Sequence, residues 1–150
     1  MSDLPARIVF ACDRNIVRSP MAAAIMRHLF GHRVAVDSVG VMARGELPDG
    51  FAIAVMSELG LDIAGHEAQP FEAVDIASAD LIVTFTPRAH HRALALAGAG
   101  QRVEYWPMAD PTAEDDCSRD VRLAAYRALR EALLARIAAR FPAVDAPQRV

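Results

Sequence analysis

Short β-prone runs along the chain alternate with longer stretches in which apolar residues recur every three or four positions. The runs at 8–11, 33–37, 81–85 and 103–106 predict strands, each bounded by turn or helix signals. The intervening stretches 19–30, 49–59 and 87–97 predict helices. Gly31 and Gly60 stand where helix ends favour a left-handed residue, and Pro20 and Pro87 suit first-turn positions. A last helix over 119–141 carries Val121, Ala124, Ala125, Ala128, Leu129, Ala132 and Leu133 on one broad face. Arg122, Arg127, Arg130 and Glu131 fill the other. Strands and helices that alternate in this way imply an α/β fold, a parallel sheet covered by helices on both sides. Ligands of such sheets bind beyond the carboxyl ends of the strands. Cys12 falls at one of those ends.

Composition narrows the field. The chain has 150 residues, 53% hydrophobic, which suits one domain spanning 1–150 with a sizeable core. A net charge of −3 gives no global field for nucleic acid. All 16 basic residues are arginines, a bias that fits a GC-rich coding sequence; selection for phosphate-binding forks can account for only a few of them. No apolar run reaches the roughly 18 residues of a membrane span, and residues 1–7 lack the hydrophobic stretch of a secretory signal. Two cysteines, Cys12 and Cys117, are too few for a disulfide framework and point to a reducing cytoplasm. The Pro-containing tail after Phe141 is expected to fray.

The segment IVFACDRNIVRSPM, residues 8–21, carries the chemistry. Amides at the start of a helix are unpaired and partly positive, so a loop of residues 13–18 leading into one can cradle phosphate oxygens. Arg18 adds a planar fork suited to two of those oxygens. The same field favours a thiolate at Cys12. Ser19 can donate a hydrogen bond to the sulfur, and Asn15 tolerates the left-handed backbone that a tight cradle needs. A buried structural cysteine with a surface arginine nearby is the plainer alternative. The order of strand, Cys, five residues, Arg-Ser-Pro and helix argues against it.

These residues resemble the signature of the low-molecular-weight protein tyrosine phosphatases and the related arsenate reductases, V-C-x-G-N-x-C-R-S-P-M. Val36-Asp37-Ser38-Val39-Gly40 is similar to the family's strand and S-A-G turn, and Pro48-Asp49 to its P-D-P helix start. The segment from Glu58 to His66, the strand beginning at Asp80, and Trp106-Pro107-Met108-Ala109-Asp110-Pro111 extend the likeness along most of the chain. The resemblance implies a single-domain, four-stranded parallel sheet flanked by helices, flavodoxin-like and of the phosphotyrosine phosphatase I type. It implies Cys12 as nucleophile, Arg18 as transition-state clamp and Asp110 as general acid. Asp13, Arg14, Asn15, Ile16, Val17 and Ser19 become the substrate-binding loop and its supports. The expected ligands are a phosphotyrosine-containing protein or other aryl phosphate, with phosphate or arsenate as simple anions. No metal, cofactor, nucleic acid or membrane partner is expected.

Several positions depart from the pattern. Arg14 replaces the loop glycine: either it has ordinary dihedrals and points outward, or the cradle is altered, and the intact neighbouring signature favours the first. Val17 replaces a second cysteine, leaving Cys12 without an adjacent thiol; Cys117 reads as a bystander. No aromatic residue follows the S-A-G-like or D-P segments, although Met42 can still contact a ring, and Gln69 stands where relatives often carry arginine. Arg14, Arg44 and Arg88 are candidates for a basic rim, with scattered surface charge the equal alternative. His90 and His91 diverge on a helix and suit solvent better than one metal, and His66 reads as a hydrogen-bonded structural residue. A protein-tyrosine phosphatase working through a phosphocysteine leads. An arsenate reductase that uses an external small thiol, or a non-catalytic phosphate-binding module, are the alternatives.

Overall fold

A computed structural model of the chain describes residues 4–113 and 118–142. Cys117 and the tail beyond 142 lie outside them. Four parallel strands, β1 (Arg7–Cys12), β2 (Ala35–Gly40), β3 (Leu81–Thr84) and β4 (Arg102–Tyr105), form one sheet in the order β2-β1-β3-β4. The helices are α1 (Arg18–Phe30), α2 (Gly50–Ser57), α3 (Pro87–Leu96) and α4 (Arg119–Arg140). The α/β architecture with helices on both faces is therefore the one that the alternation predicts.

Strand pleating sorts the core into two layers. Ile8, Phe10 and Cys12 of β1 face one layer with Leu81 and Val83, beneath α1, α2 and α4. Val9, Ala11 and Ile82 face the other, with Ala89 and Ala93 of α3 and Phe71. Three aromatic rings brace the first layer: Phe10 stacks on Phe85 at 5.9 Å, and Trp106 meets each of them edge-on at 6.3 Å. Strand β1 is central and wholly buried after Arg7, so its carboxyl end is held on both sides.

Three local expectations change. The second strand runs 35–40 rather than 33–37: its last three residues are buried against β1, with Gly40 opposite Cys12, so burial overrides the polar look of the S-V-G segment. Gly31 closes α1 in a right-handed conformation (φ −62°), whereas Gly60 does take the left-handed one (φ 77°). The buried stripe of α4 is Tyr126, Leu129, Leu133 and Ile137, while Val121, Ala124, Ala128 and Ala132 are exposed. Large side chains exclude more water than alanines do, and they set the docking angle.

Arginine clamps close the helical layer. Arg127 grips Glu58 through Nε and Nη2, and Arg130 reaches both Glu58 (2.7 Å) and the carbonyl of Val55, tying α4 to the end of α2. The two guanidinium groups pull the Glu58 carboxyl down to about 2. A carboxylate lowered on folding contributes stability above its ordinary value of 4.5, and that contribution is lost as pH falls toward the folded value. The clamp is exposed, so the effect is modest. Melting temperature followed from pH 5 to pH 2 should fall less steeply in Glu58→Gln than in the parent, with the curve of the variant lower above pH 5.

Candidate active site

The cradle sits where β1 gives way to α1. Asn15 takes a left-handed conformation (φ 59°), alone among the non-glycine described residues. An L-residue pays of order 1–2 kcal/mol for that backbone, least for Asn. The fold secures it by burying the Asn15 side chain completely and filling its hydrogen bonds. The backbone N–H of Gln69 donates to Oδ1 at 2.9 Å, which fixes the amide's orientation; Nδ2 then donates to Ser19 Oγ (2.7 Å) and Ser38 Oγ (3.0 Å). His66 Nε2 lies 3.0 Å from Oδ1 and 3.1 Å from the Asn15 carbonyl; both are acceptors, so Nε2 carries the proton. Burial holds His66 below the ordinary imidazole value, in keeping with a neutral ring.

Cys12 Sγ lies at the floor, 2% exposed, 2.8 Å from Ser19 Oγ and 3.3 Å from the Asn15 amide. Because Asn15 already donates to Ser19, the hydroxyl proton is free to point at sulfur. A thiolate in this seat therefore accepts two hydrogen bonds. The cleft above it, about 110 Å³, is lined by residues 12–18, Met42, Asp110 and Thr112. The amides of Arg14, Ile16, Val17 and Arg18 make no hydrogen bond among the described residues, leaving a run of open donors around an anion-sized space. Ser19 supports the sulfur from below rather than lining the cleft. Val17 is buried in the core, so positions 15 and 17 face the cleft through backbone, not side chain.

Arg18 reaches the mouth by donating Nη1–H to the carbonyl of Met108 at 3.2 Å, which brings Nη2 to 3.9 Å from Asp110 Oδ2. The other oxygen of Asp110 accepts from the backbone amide and hydroxyl of Thr112, at 2.9 and 2.6 Å. The carboxyl thus stands at the rim, 44% exposed, above the sulfur's cleft. Arg14 has ordinary backbone dihedrals and points outward, 58% exposed, toward Glu46. Asp13 turns the opposite way and accepts from Thr86 Oγ1 at 2.7 Å; Thr86 caps α3 through the Ala89 amide. His90 bonds Thr84 and stacks on Tyr105, away from the cradle. Among the described residues no group of three or more His, Cys, Asp or Glu is placed to hold a metal, and no helix is long and apolar enough to cross a membrane.

Ser38, Thr86 and Thr112 were not singled out by sequence reasoning as supports of the site. Thr86 had a local signal, a hydroxyl residue directly before the helix-starting Pro87. Ser38 and Thr112 had none that separates them from other hydroxyl residues.

A cysteine under an amide cradle at the end of a central parallel strand, with an arginine and a carboxyl at its mouth, has the chemistry and the dimensions to receive a small anion. A family model for the low molecular weight phosphotyrosine protein phosphatases matches residues 7–117, and the chain belongs to that family. It is 30% identical over 130 residues to an arsenate reductase of Halalkalibacterium halodurans, covering 87% of this chain and 91% of that protein. It is 40% identical over 77 residues to a protein of Ralstonia solanacearum named "Probable low molecular weight protein-tyrosine-phosphatase EpsP", and the match spans about half of each, 51% of this chain and 52% of the other. A solved arsenate reductase in the phosphate binding state superposes with a TM-score of 0.69 at 25% identity, covering 89% of this chain and 95% of that one. The family thus contains relatives named for either activity.

Gly40 controls how closely the cradle can approach β2. A Cβ built there would stand 2.7 Å from the Asn15 amide nitrogen and 2.8 Å from the Arg14 carbonyl carbon, both rigid backbone. Gly40→Ala should push the loop off the strand end. Phosphate affinity, measured by calorimetry, is expected to drop roughly tenfold or more, about 1.4 kcal/mol, while far-ultraviolet circular dichroism stays that of the parent.

Proposed function

We propose that the protein is a cysteine-dependent phosphomonoester hydrolase acting on aryl phosphates, phosphotyrosine among them. The observation that carries this reading is the placement of the Cys12 sulfur on the floor of an amide-ringed cleft whose mouth holds both Arg18 and Asp110. In the first step the Cys12 thiolate attacks phosphorus and the bond to the aryl oxygen breaks, with Asp110 giving its proton to the departing oxygen. Arg18 and the open amides hold the equatorial oxygens as charge spreads over them. In the second step water attacks the phosphocysteine, its proton passes to the Asp110 carboxylate, and Sγ leaves as a thiolate onto the Ser19 and Asn15 donors. Asp110 must carry its proton at the start of the first step to give it to the departing oxygen.

A second reading, arsenate reduction, has the sequence relative above in its favour and requires a reductant from outside. Sγ would displace hydroxide from arsenate. An external thiol would then attack Sγ, forming a mixed disulfide as two electrons pass to arsenic and arsenite departs. Val17, buried 5% exposed in the core where a second cysteine would otherwise stand, leaves no vicinal thiol to do this.

Leaving-group dependence tests the hydrolase. p-Nitrophenol needs little help to depart, whereas tyrosine, with a pKa of about 10, needs much more. Asp110→Ala should slow a phosphotyrosine peptide about 10²–10⁴-fold and p-nitrophenyl phosphate markedly less. Cys12→Ser should abolish turnover of both while phosphate still binds. Phosphate binding without turnover of either ester by the parent protein would instead assign a binding module.

Arsenate reduction is followed separately. If it is the activity, arsenite should form only with an added small thiol, and Cys117→Ser should leave its rate unchanged. A lower rate in Cys117→Ser would make that cysteine part of the relay.

A further inference from the structure

The rim of the cleft is uneven in how its charges are met. Among the described residues its carboxylates are engaged: Glu46 by Arg14 and the Arg44 amide, Asp110 by Thr112 and Arg18, Asp13 by the Thr86 hydroxyl. Of its guanidinium groups, Arg14 and Arg18 are taken up in those same pairs, and Arg88 is not. Arg88 has no carboxylate partner among the described residues, and its Nη1 lies instead 3.1 Å from the sulfur of Met42. Met42 forms part of the cleft wall, so Arg88 stands directly behind that wall.

A second, open depression adjoins the cleft at Asp13, and Pro87, Arg88 and His91 complete its border. Arg88 and His91 are three residues apart on α3, close to one turn, and rise from one side of the helix into solvent. Arg92, next in sequence to His91, turns away to pair with Glu72. A chain whose phosphoester occupies the Cys12 cleft and whose neighbouring residues run across Met42 meets unfilled donors at Arg88 and His91. Among the described residues, the rim carboxylate oxygen left without a partner is the second oxygen of Asp13.

We propose that Arg88, with His91 beside it, forms a subsite for an acidic side chain flanking the phosphotyrosine, so that the preferred substrates are phosphotyrosine segments rich in Asp or Glu. The proposal rests on the hydrolase reading above and specifies its substrate class. Arg88 touches no reacting atom and acts only on selectivity. Its contribution is that of an exposed charge pair, strongest at low ionic strength and screened by salt.

The test compares two phosphotyrosine peptides identical except for Glu or Lys at the positions next to the phosphotyrosine, with phenyl phosphate as a reference ester. The parent protein should favour the Glu peptide in kcat/KM by about 3–5-fold at low salt, the size expected of an exposed ion pair, with the preference fading at high salt. Arg88→Lys should keep the preference and Arg88→Glu should reverse it; matching melting curves establish that both variants are folded. Equal turnover of the two peptides by the parent, or a preference that survives Arg88→Glu, overturns the subsite and leaves the hydrolase standing. Turnover of phenyl phosphate with neither peptide hydrolysed overturns both the subsite and the phosphotyrosine reading. A loss in Arg88→Glu as large for phenyl phosphate as for the Glu peptide also overturns it, since Arg88 would then be shaping the cleft through Met42.

Discussion

One buried amide holds the site together. Asn15 must adopt a backbone conformation that its side chain only just tolerates, and it can do so because the Gln69 amide, His66, Ser19 and Ser38 together satisfy that side chain. The four partners come from three parts of the chain: Gln69 and His66 from the loop after α2, Ser19 from the start of α1, and Ser38 from β2. The strained turn tips the neighbouring amides outward and leaves one amide on the sulfur. Without those bonds the turn would relax, and the ring of donors above Cys12 would go with it.

The sheet supplies the fixed points on which that turn rests. Strand β1 ends between β2 and β3 with Cys12 opposite Gly40, and the absence of a side chain at Gly40 lets the loop fold back against β2. Arg18 begins the helix that packs over the same layer as Cys12, so the sulfur and the guanidinium are set by one strand-to-helix junction. Asp110 arrives from the far edge of the sheet, after β4. It is positioned by Arg18 through the Met108 carbonyl and by its own turn with Thr112.

The sequence shows these parts unevenly. The strand-to-helix junction at residues 8–21 is legible because its order of residue types is the order the chemistry requires, and the left-handed tolerance of Asn15 follows from its side chain. The supporting bonds are not legible, since Asn15 meets Ser38 and Gln69 across 23 and 54 residues and nothing local marks such a pairing. Strand β2 was displaced because Arg33 and Asp37 give a β-prone run a clear polar frame, while the buried S-V-G end resembles a turn. On α4 the many alanines widen the apolar face that the sequence shows; the bulk of Tyr126 and Ile137, packed against α2 and the sheet layer, decides which part of the helix is buried. The freedom of Arg14 to stand where a glycine is usual has a simple cause: the left-handed step falls one residue later, so position 14 needs no special backbone.

The Ser19 hydroxyl has a single proton and two acceptors within reach, the Cys12 sulfur at 2.8 Å and the Val39 carbonyl at 3.4 Å. While the sulfur is anionic it is much the stronger acceptor and keeps the proton. Once the sulfur carries a covalent substituent its lone pairs are poor acceptors, and the hydroxyl has the strand carbonyl to turn to. The seat can thus serve a charged and an uncharged occupant by rotating one light atom. The surrounding heavy atoms, fixed by Asn15 and the sheet, need not be reorganised at either stage.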